Sequence, residues 1–325
     1  MSRKLACIVL SALATVIAPH AIAQEYPKRT ITIVVPFAPG GPVDIIPRAI
    51  APKLSASMGV PVIVENRPGS AGNVGAGVVS RADPDGHTLL LFHSALFTVN
   101  PWLFKNLPFN PQVDLVPVTD LVSMPNVMVV NSELKANNIG ELIALIKSKP
   151  GVLNYGTPGA GTSSHLCVEF FKVRGGDLDV VHVPFKAGPA AVTALLSNQV
   201  QFGCVAVNAA VPSVKANRLR ALAVTSLTRS VAMPDVPTMD EAGLKDFEVT
   251  LWFGVAAPGK TPDAIVRRLN TEIRAALKDE EIGKRLQGMG MTTLGGTQEA
   301  VRQNMAAEAA NWRGIIEKAN IKLAE

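Results

Sequence analysis

Apolar positions in this chain fall into two patterns that alternate. Short runs rich in Val and Ile are separated by stretches in which apolar residues recur every three to four positions. The runs predict strands over residues 31–35, 60–65, 87–92, 115–122, 127–130, 152–155, 180–183, 200–205, 219–225 and 249–256. The longer period predicts helices over 43–58, 72–82, 139–149, 163–173 and 189–197, the third of these stopping at Pro150-Gly151. Parallel strands need a crossover between them, so this alternation predicts an α/β fold with mainly parallel sheets and flanking helices. After residue 256 the pattern changes to helices alone, over 261–278, 279–287 and 297–319. Thr261 is the expected N-cap of the first, with Pro262 in its first turn. Such a tail is expected to return to the first lobe. The chain therefore divides into lobe one, 24–123 plus 248–325, and lobe two, 124–247, and its two crossings suggest a hinge. Pro47 fits the first turn of the 43–58 helix, whereas Pro52 removes a bond to the Arg48 carbonyl and is expected to kink or loosen it.

Two of the strand-to-helix turns carry candidate chemistry. The first follows Ile31-Thr-Ile-Val-Val35 as Pro36-Phe-Ala-Pro-Gly-Gly-Pro42. A Gly/Pro turn feeding a helix points unpaired backbone N–H groups at one spot, where the helix dipole also favours an anion. Phe37, Ala38, Gly40, Gly41, Val43 and Asp44 are the candidates here. Asp44 would repel an anion in direct contact and is expected to cap the helix or hold the loop. The second turn, Gly156-Thr-Pro-Gly-Ala-Gly-Thr-Ser-Ser164, adds hydroxyls, and its candidates are Thr157, Gly161, Thr162 and Ser163. On local grounds a tight turn without ligand explains the first loop equally well, and N-capping by Thr162 or Ser163 explains the second. A dinucleotide fingerprint fails because Ser164 stands where its third glycine belongs. Two further strand ends add Ser94, and Phe185 for stacking, Lys186 for charge and Ala187 for its N–H. A structural turn is a competing explanation for both.

Composition narrows the setting. Arg3 and Lys4, the apolar run 5–18 and Ala21-Ile-Ala23 form a targeting segment, 1–23, with cleavage expected after Ala23 and export to a periplasm. Without Arg3 and Lys4 the charge is 29 basic against 26 acidic residues, a net +3, dispersed and poor in aromatics, which argues against a nucleic-acid partner. The 48% apolar share supports real cores. Cys167 and Cys204 remain after cleavage and are expected to be buried free thiols. Cysteine and histidine spacings match no metal site. Adjacent Ser164 and His165 point apart on a helix, and no nucleophile elbow or Walker loop is present, so a secreted hydrolase is a remote alternative.

The chain resembles the Bug-type extracytoplasmic receptors of tripartite tricarboxylate transporters. The resemblance is carried by Val35-Pro-Phe-Ala-Pro-Gly-Gly41 with Asp44 and Arg48, Val64-Glu-Asn-Arg-Pro-Gly69, Asp83-Pro-Asp-Gly86, Gly159-Ala-Gly161 with His165, and His182-Val-Pro184 with Lys186. It continues through Leu219-Arg-Ala-Leu-Ala-Val-Thr225, Pro234-Asp-Val-Pro-Thr238, Trp252 with Gly254, and Ala257-Pro-Gly259, in order along the mature chain. It implies a two-lobe periplasmic-binding-protein (Venus flytrap) fold, no catalysis and no cofactor. It also implies a small carboxylate ligand and delivery to a membrane permease; a monomer is expected. A flytrap sensor feeding a signalling partner is the alternative. Carried over, the ligand site spans 37–44, 157–163 and 185–187. The rim Phe185-Lys-Ala-Gly-Pro-Ala190 is about one residue shorter than in the family. Where the family often has an Asp near the cleft, this chain has Asn208 at best, which favours an acid without an amino group.

Overall fold

The computed structural model describes residues 26–318 except 41, 105, 160, 161, 186 and 187. The expected targeting segment, 1–23, lies outside the described residues. The first half of the fold contains β1 (Ile31–Val35), α1 (Pro42–Met58), β2 (Val62–Asn66), α2 (Asn73–Ser80) and β3 (Thr88–His93). Three single-turn helices follow, α3 (Ala95–Thr98), α4 (Asn100–Leu103) and α5 (Pro111–Asp114), before the long β4 (Leu115–Asn131). The second half contains α6 (Ile139–Ser148), β5 (Asn154–Thr157), α7 (Ser163–Arg174), β6 (Val181–Pro184) and α8 (Gly188–Leu196). It continues with β7 (Phe202–Ala206), α9 (Val207–Lys215) and β8 (Leu219–Val224). The chain then returns through β9 (Thr250–Pro258), α10 (Asp263–Leu277), α11 (Glu280–Gln287), β10 (Thr292–Thr293) and α12 (Gln298–Lys318).

The strands run in the order β2-β1-β3-β9-β4-β7-β5-β6, with β8 and β10 also paired to β4. Pairing is parallel among β2, β1 and β3, and again among β6, β5 and β7. It is antiparallel wherever β4 or β9 takes part. Two parallel units thus flank two crossing strands. Residues 115–122 and 127–130 were expected as separate strands, because Ser123, Pro125 and Asn126 interrupt the apolar run. They form one strand of 17 residues that changes partners at the interruption. Leu115 to Pro125 pair with β9, and Asn126 to Asn131 pair with β7 and β8.

The parallel directions decide where the loops emerge. His93 at the end of β3 pairs with Phe253 near the start of β9, and Thr250 at that start pairs with Pro125. Ala206 at the end of β7 pairs with Asn126. The carboxyl ends of both parallel units therefore meet at the partner change in β4, the crevice in which open α/β sheets bind ligands. Thr225 pins this crossing. Its N–H donates to the Asn126 carbonyl, its hydroxyl donates to Val249 O at 2.7 Å, and the Asn126 N–H donates to that hydroxyl at 3.0 Å.

Each unit has apolar cores on both sheet faces. In the first, α1, α10 and α11 cover one face through residues such as Ile46, Ile50, Val266 and Ile273. The other face holds Phe92, Phe97 and Val79. In the second unit, Tyr155, Phe171, Phe202 and Phe247 form one core, and Ala194, Leu195, Val205 and Ala210 the other. The last helix joins both units. Val301 and Met305 of α12 pack with Phe92, while Trp312 and Ile316 pack with Phe171.

Three local expectations change. Cys167 and Cys204 are not free thiols but form a disulfide, both side chains fully buried. Packing α7 on β7 brings their Cα atoms to 6.2 Å, within bridging range, which spacing alone does not reveal. The N-cap of α10 is Pro262 rather than Thr261, whose hydroxyl is buried without a partner. The sequence pattern does not show helix α9, since Ala206 gives it no side-chain cap and Pro212 stands inside it. Helix α1 holds both Pro47 and Pro52 within its 17 residues. Arg48 and Pro52 both lie on its exposed side, so water can meet the carbonyl that Pro52 leaves without a donor.

Candidate functional site

The first turn is held from within by Asp44. Its Oδ2 accepts from the Gly40 N–H and from Arg48 Nε, both at 2.9 Å. Its Oδ1 accepts from Arg48 Nη2 at 3.1 Å and from Asn66 Nδ2 at 2.8 Å. Asn66 also donates to the Phe37 carbonyl at 3.0 Å and accepts from Arg48 Nη2 at 2.9 Å. Gly40 has φ +81°, a left-handed conformation that bends the turn back to this carboxylate. Hydrogen bonds from Arg48 lead the causes that hold the Asp44 carboxyl down at about 2, against the opposing effect of burial. Arg48 cancels the Asp44 charge, so the helix start keeps its attraction for an anion. In an α-helix beginning at Pro42, the N–H groups of Val43 and Asp44 have no intrahelical acceptor. Phe37 is half-buried, with its ring 5.6 Å from His93 and 6.5 Å from Phe253, and Ala38 is exposed. Gly41 lies outside the described residues.

The second turn is likewise bonded internally. The Thr157 hydroxyl is 3.2 Å from both the N–H and the carbonyl of Gly159. Thr162 donates to that same carbonyl at 2.8 Å and caps α7 by accepting from the His165 N–H at 3.4 Å. The hydroxyls of Thr157 and Thr162, expected to meet the ligand, are thus engaged within the loop. Among the described residues, the first N–H groups of α7, at Ser163 and Ser164, lack an intrahelical acceptor and could face an anion, with the half-buried Ser163 hydroxyl beside them. Gly161, Lys186 and Ala187 lie outside the described residues.

The remaining candidates have other partners. Ser94 is 2% exposed, and its hydroxyl donates to Glu308 of α12. Phe185 lays its ring over Gly156 at the edge of the Leu195–Val200 core, and its N–H donates to the Thr157 carbonyl. Asn208 lies in the first turn of α9 against Gly290, where an added Cβ would sit 3.4 Å from its own. That contact joins the second unit to the segment after α11.

Behind the second turn is a cluster that the linear sequence does not display. The Tyr155 hydroxyl donates to Glu169 Oε1 at 2.5 Å, and Lys172 Nζ donates to both Glu169 oxygens. The His182 ring stacks on Tyr155 at 4.8 Å and 17° and lies 4.4 Å from the His165 ring. Burial pushes the His165 imidazole down to about 4 and also lowers that of His182. The register that pairs Tyr155 with His182 across β5 and β6 creates this cluster. Among the described residues no three His, Cys, Asp or Glu side chains could hold a metal ion, and no helix is long and apolar enough to cross a membrane. A surface cavity of about 480 Å³ between α10, α11 and β10 is lined by none of the turn residues.

Comparison with known proteins agrees with this layout. The profile of the family described as tripartite tricarboxylate transporter family receptor matches residues 46–321. Protein BugT of Bordetella pertussis is 35% identical over 324 residues, covering 99% of both chains. The solved R. palustris protein with adipate is 31% identical with a TM-score of 0.80, covering 92% of this chain and 100% of its own. MatC of Rhodopseudomonas palustris with bound malate is 31% identical with a TM-score of 0.75, covering 90% of this chain and 100% of its own.

Proposed function

The chain belongs to the tripartite tricarboxylate transporter receptor family, and we propose that it is a periplasmic receptor for one small carboxylate, which it hands to a membrane permease. The acid is gripped between lobe one, 24–123 plus 248–325, and lobe two, 124–247. The observation that carries this reading is the pair of braced strand-to-helix turns, after β1 and after β5, on the side where both units meet at the crossing of β4. Each offers helix N-terminal N–H groups, and neither carries a basic side chain that would fix one acid's shape. Adipate and malate, bound by two similar proteins, are both dicarboxylates, which favours a ligand of that class. The Cys167–Cys204 disulfide suits an oxidising compartment and so supports export. The buried His165 packs against His182 and Tyr155, which supports a binding role over a catalytic one.

A thermal-shift screen of residues 24–325 against dicarboxylates, aromatic acids and their neutral amides tests the reading. One or more acids should raise the melting temperature, and the matching amides should not. Silence across the whole acid panel at millimolar concentration would remove the carboxylate assignment.

A further inference from the structure

We propose that His182 is the positioning residue of the second turn, setting through Thr157 the shape in which the start of α7 is offered to the ligand. This rests on the carboxylate-receptor reading for its purpose, and on the hydrogen bonds for its mechanism. His182 Nε2 lies 2.7 Å from the Thr157 hydroxyl oxygen, while Gly159 places both its N–H and its carbonyl 3.2 Å from that same oxygen. A hydroxyl has one proton and two lone pairs. All three contacts are satisfied together in one way: the Gly159 N–H and His182 Nε2–H donate, and the hydroxyl proton goes to the Gly159 carbonyl. His182 is therefore the neutral Nε2–H tautomer, a form that burial of the ring favours over the imidazolium.

The order passes onward. Gly159 has φ +127°, and its carbonyl also accepts from Thr162, whose hydroxyl caps α7. Turn and helix start thus form one hydrogen-bonded chain that begins at the imidazole. The ring is fixed in its turn by stacking on fully buried Tyr155. Tyr155 is tied to Glu169, and Glu169 to Lys172. With Lys172 balancing Glu169, the charged and titratable groups packed around His182 among the described residues are this ion pair, His165 and the Tyr155 phenol. None of them needs to contact ligand for the arrangement to act.

The test compares wild type, His182→Phe and His182→Gln. Phe keeps an aromatic ring beside Tyr155 but has no donor, whereas Gln restores an N–H at the position of Nε2. Amide exchange at Gly159 is read by NMR in the ligand-free protein, and binding of adipate and malate by calorimetry. Ring nitrogen shifts of wild-type His182 should report the Nε2–H tautomer. Gly159 exchange should quicken about tenfold or more in His182→Phe and return toward wild type in His182→Gln. Any acid that binds wild type should bind His182→Phe about tenfold more weakly. Should His182→Phe fail to fold, His182→Asn, which keeps an amide but does not reach the position of Nε2, takes its place, with His182→Gln still the rescue. Unchanged Gly159 exchange in the variant without a donor at that position, or an Nδ1–H tautomer in wild type, would overturn the proposal. Failure of wild type to bind any acid in the wider panel would instead overturn the receptor reading, while the exchange and tautomer results still decide the role of His182.

Discussion

Asp44 braces the first turn from within. It is 3% exposed, yet it stays charged because Arg48, Asn66 and the Gly40 N–H replace the water it has lost. Asp44→Asn should leave Arg48 without its partner and turn an amide N–H toward donors, loosening the turn. The expected loss is about 1–2 kcal/mol at pH 7, read by urea denaturation, with weaker acid binding. The pH dependence has a definite sign. A carboxyl held at about 2 contributes stability above its ordinary range near 4, and loses that contribution as pH falls through 2. The difference between wild type and Asp44→Asn should therefore be full at neutral pH and shrink between pH 4 and 2. A constant difference across that range would mean that the charge of Asp44 is not what holds the turn.

At the scale of elements, α7 and its neighbours carry the second turn. The Cys167–Cys204 bridge fastens α7 to β7 across 37 residues of sequence. Replacing both cysteines with serine should cost about 2–4 kcal/mol by urea denaturation, and reductant should mimic the change under conditions that open the core. His165 adds a second pH effect. Its imidazole is held at about 4 by burial, so the unfolded chain binds a proton that the folded chain refuses between about 4 and 6.5. Stability should rise with pH across that window, and His165→Gln should flatten the rise. Most elements were legible because each is a local period: β1 and α7 can be read from their own residues. Strand β4 was not, since its continuity depends on partners to either side that are distant in sequence. The two Gly-rich turns were legible for the same local reason. Asp44's bracing role follows from charge at a helix start, but the link from His182 to Thr157 exists only once β5 and β6 are in register. The disulfide needs α7 to lie on β7, and the covering of Ser94 needs α12.

At the scale of the molecule, the two units are joined by β4, by β9 and by the length of α12. Glu308 sits where α12 passes between them. It accepts from the indole N–H of Trp252 at 2.7 Å and of Trp312 at 3.2 Å, and from Thr98 and Ser94. Burial raises its carboxyl, and the four donors act against that rise. Glu308→Ala would leave two indole N–H groups without their acceptor, so a loss of about 1–3 kcal/mol in thermal or urea unfolding is expected. Unchanged stability would show that α12 does not couple the units through this carboxylate. On the proposed receptor reading, the crossing at Asn126, Thr225 and Val249 is where the two units would bend toward each other.

The central claim is that the two braced turns hold one carboxylate between them. A crystal structure of the mature protein with the best acid from the binding screen tests it most directly. The account predicts density for the acid between the turns, with carboxylate oxygens about 2.7–3.2 Å from N–H groups of both residues 43–44 and residues 163–164, directly or through one water. An acid bound with its carboxylate away from either turn would contradict it.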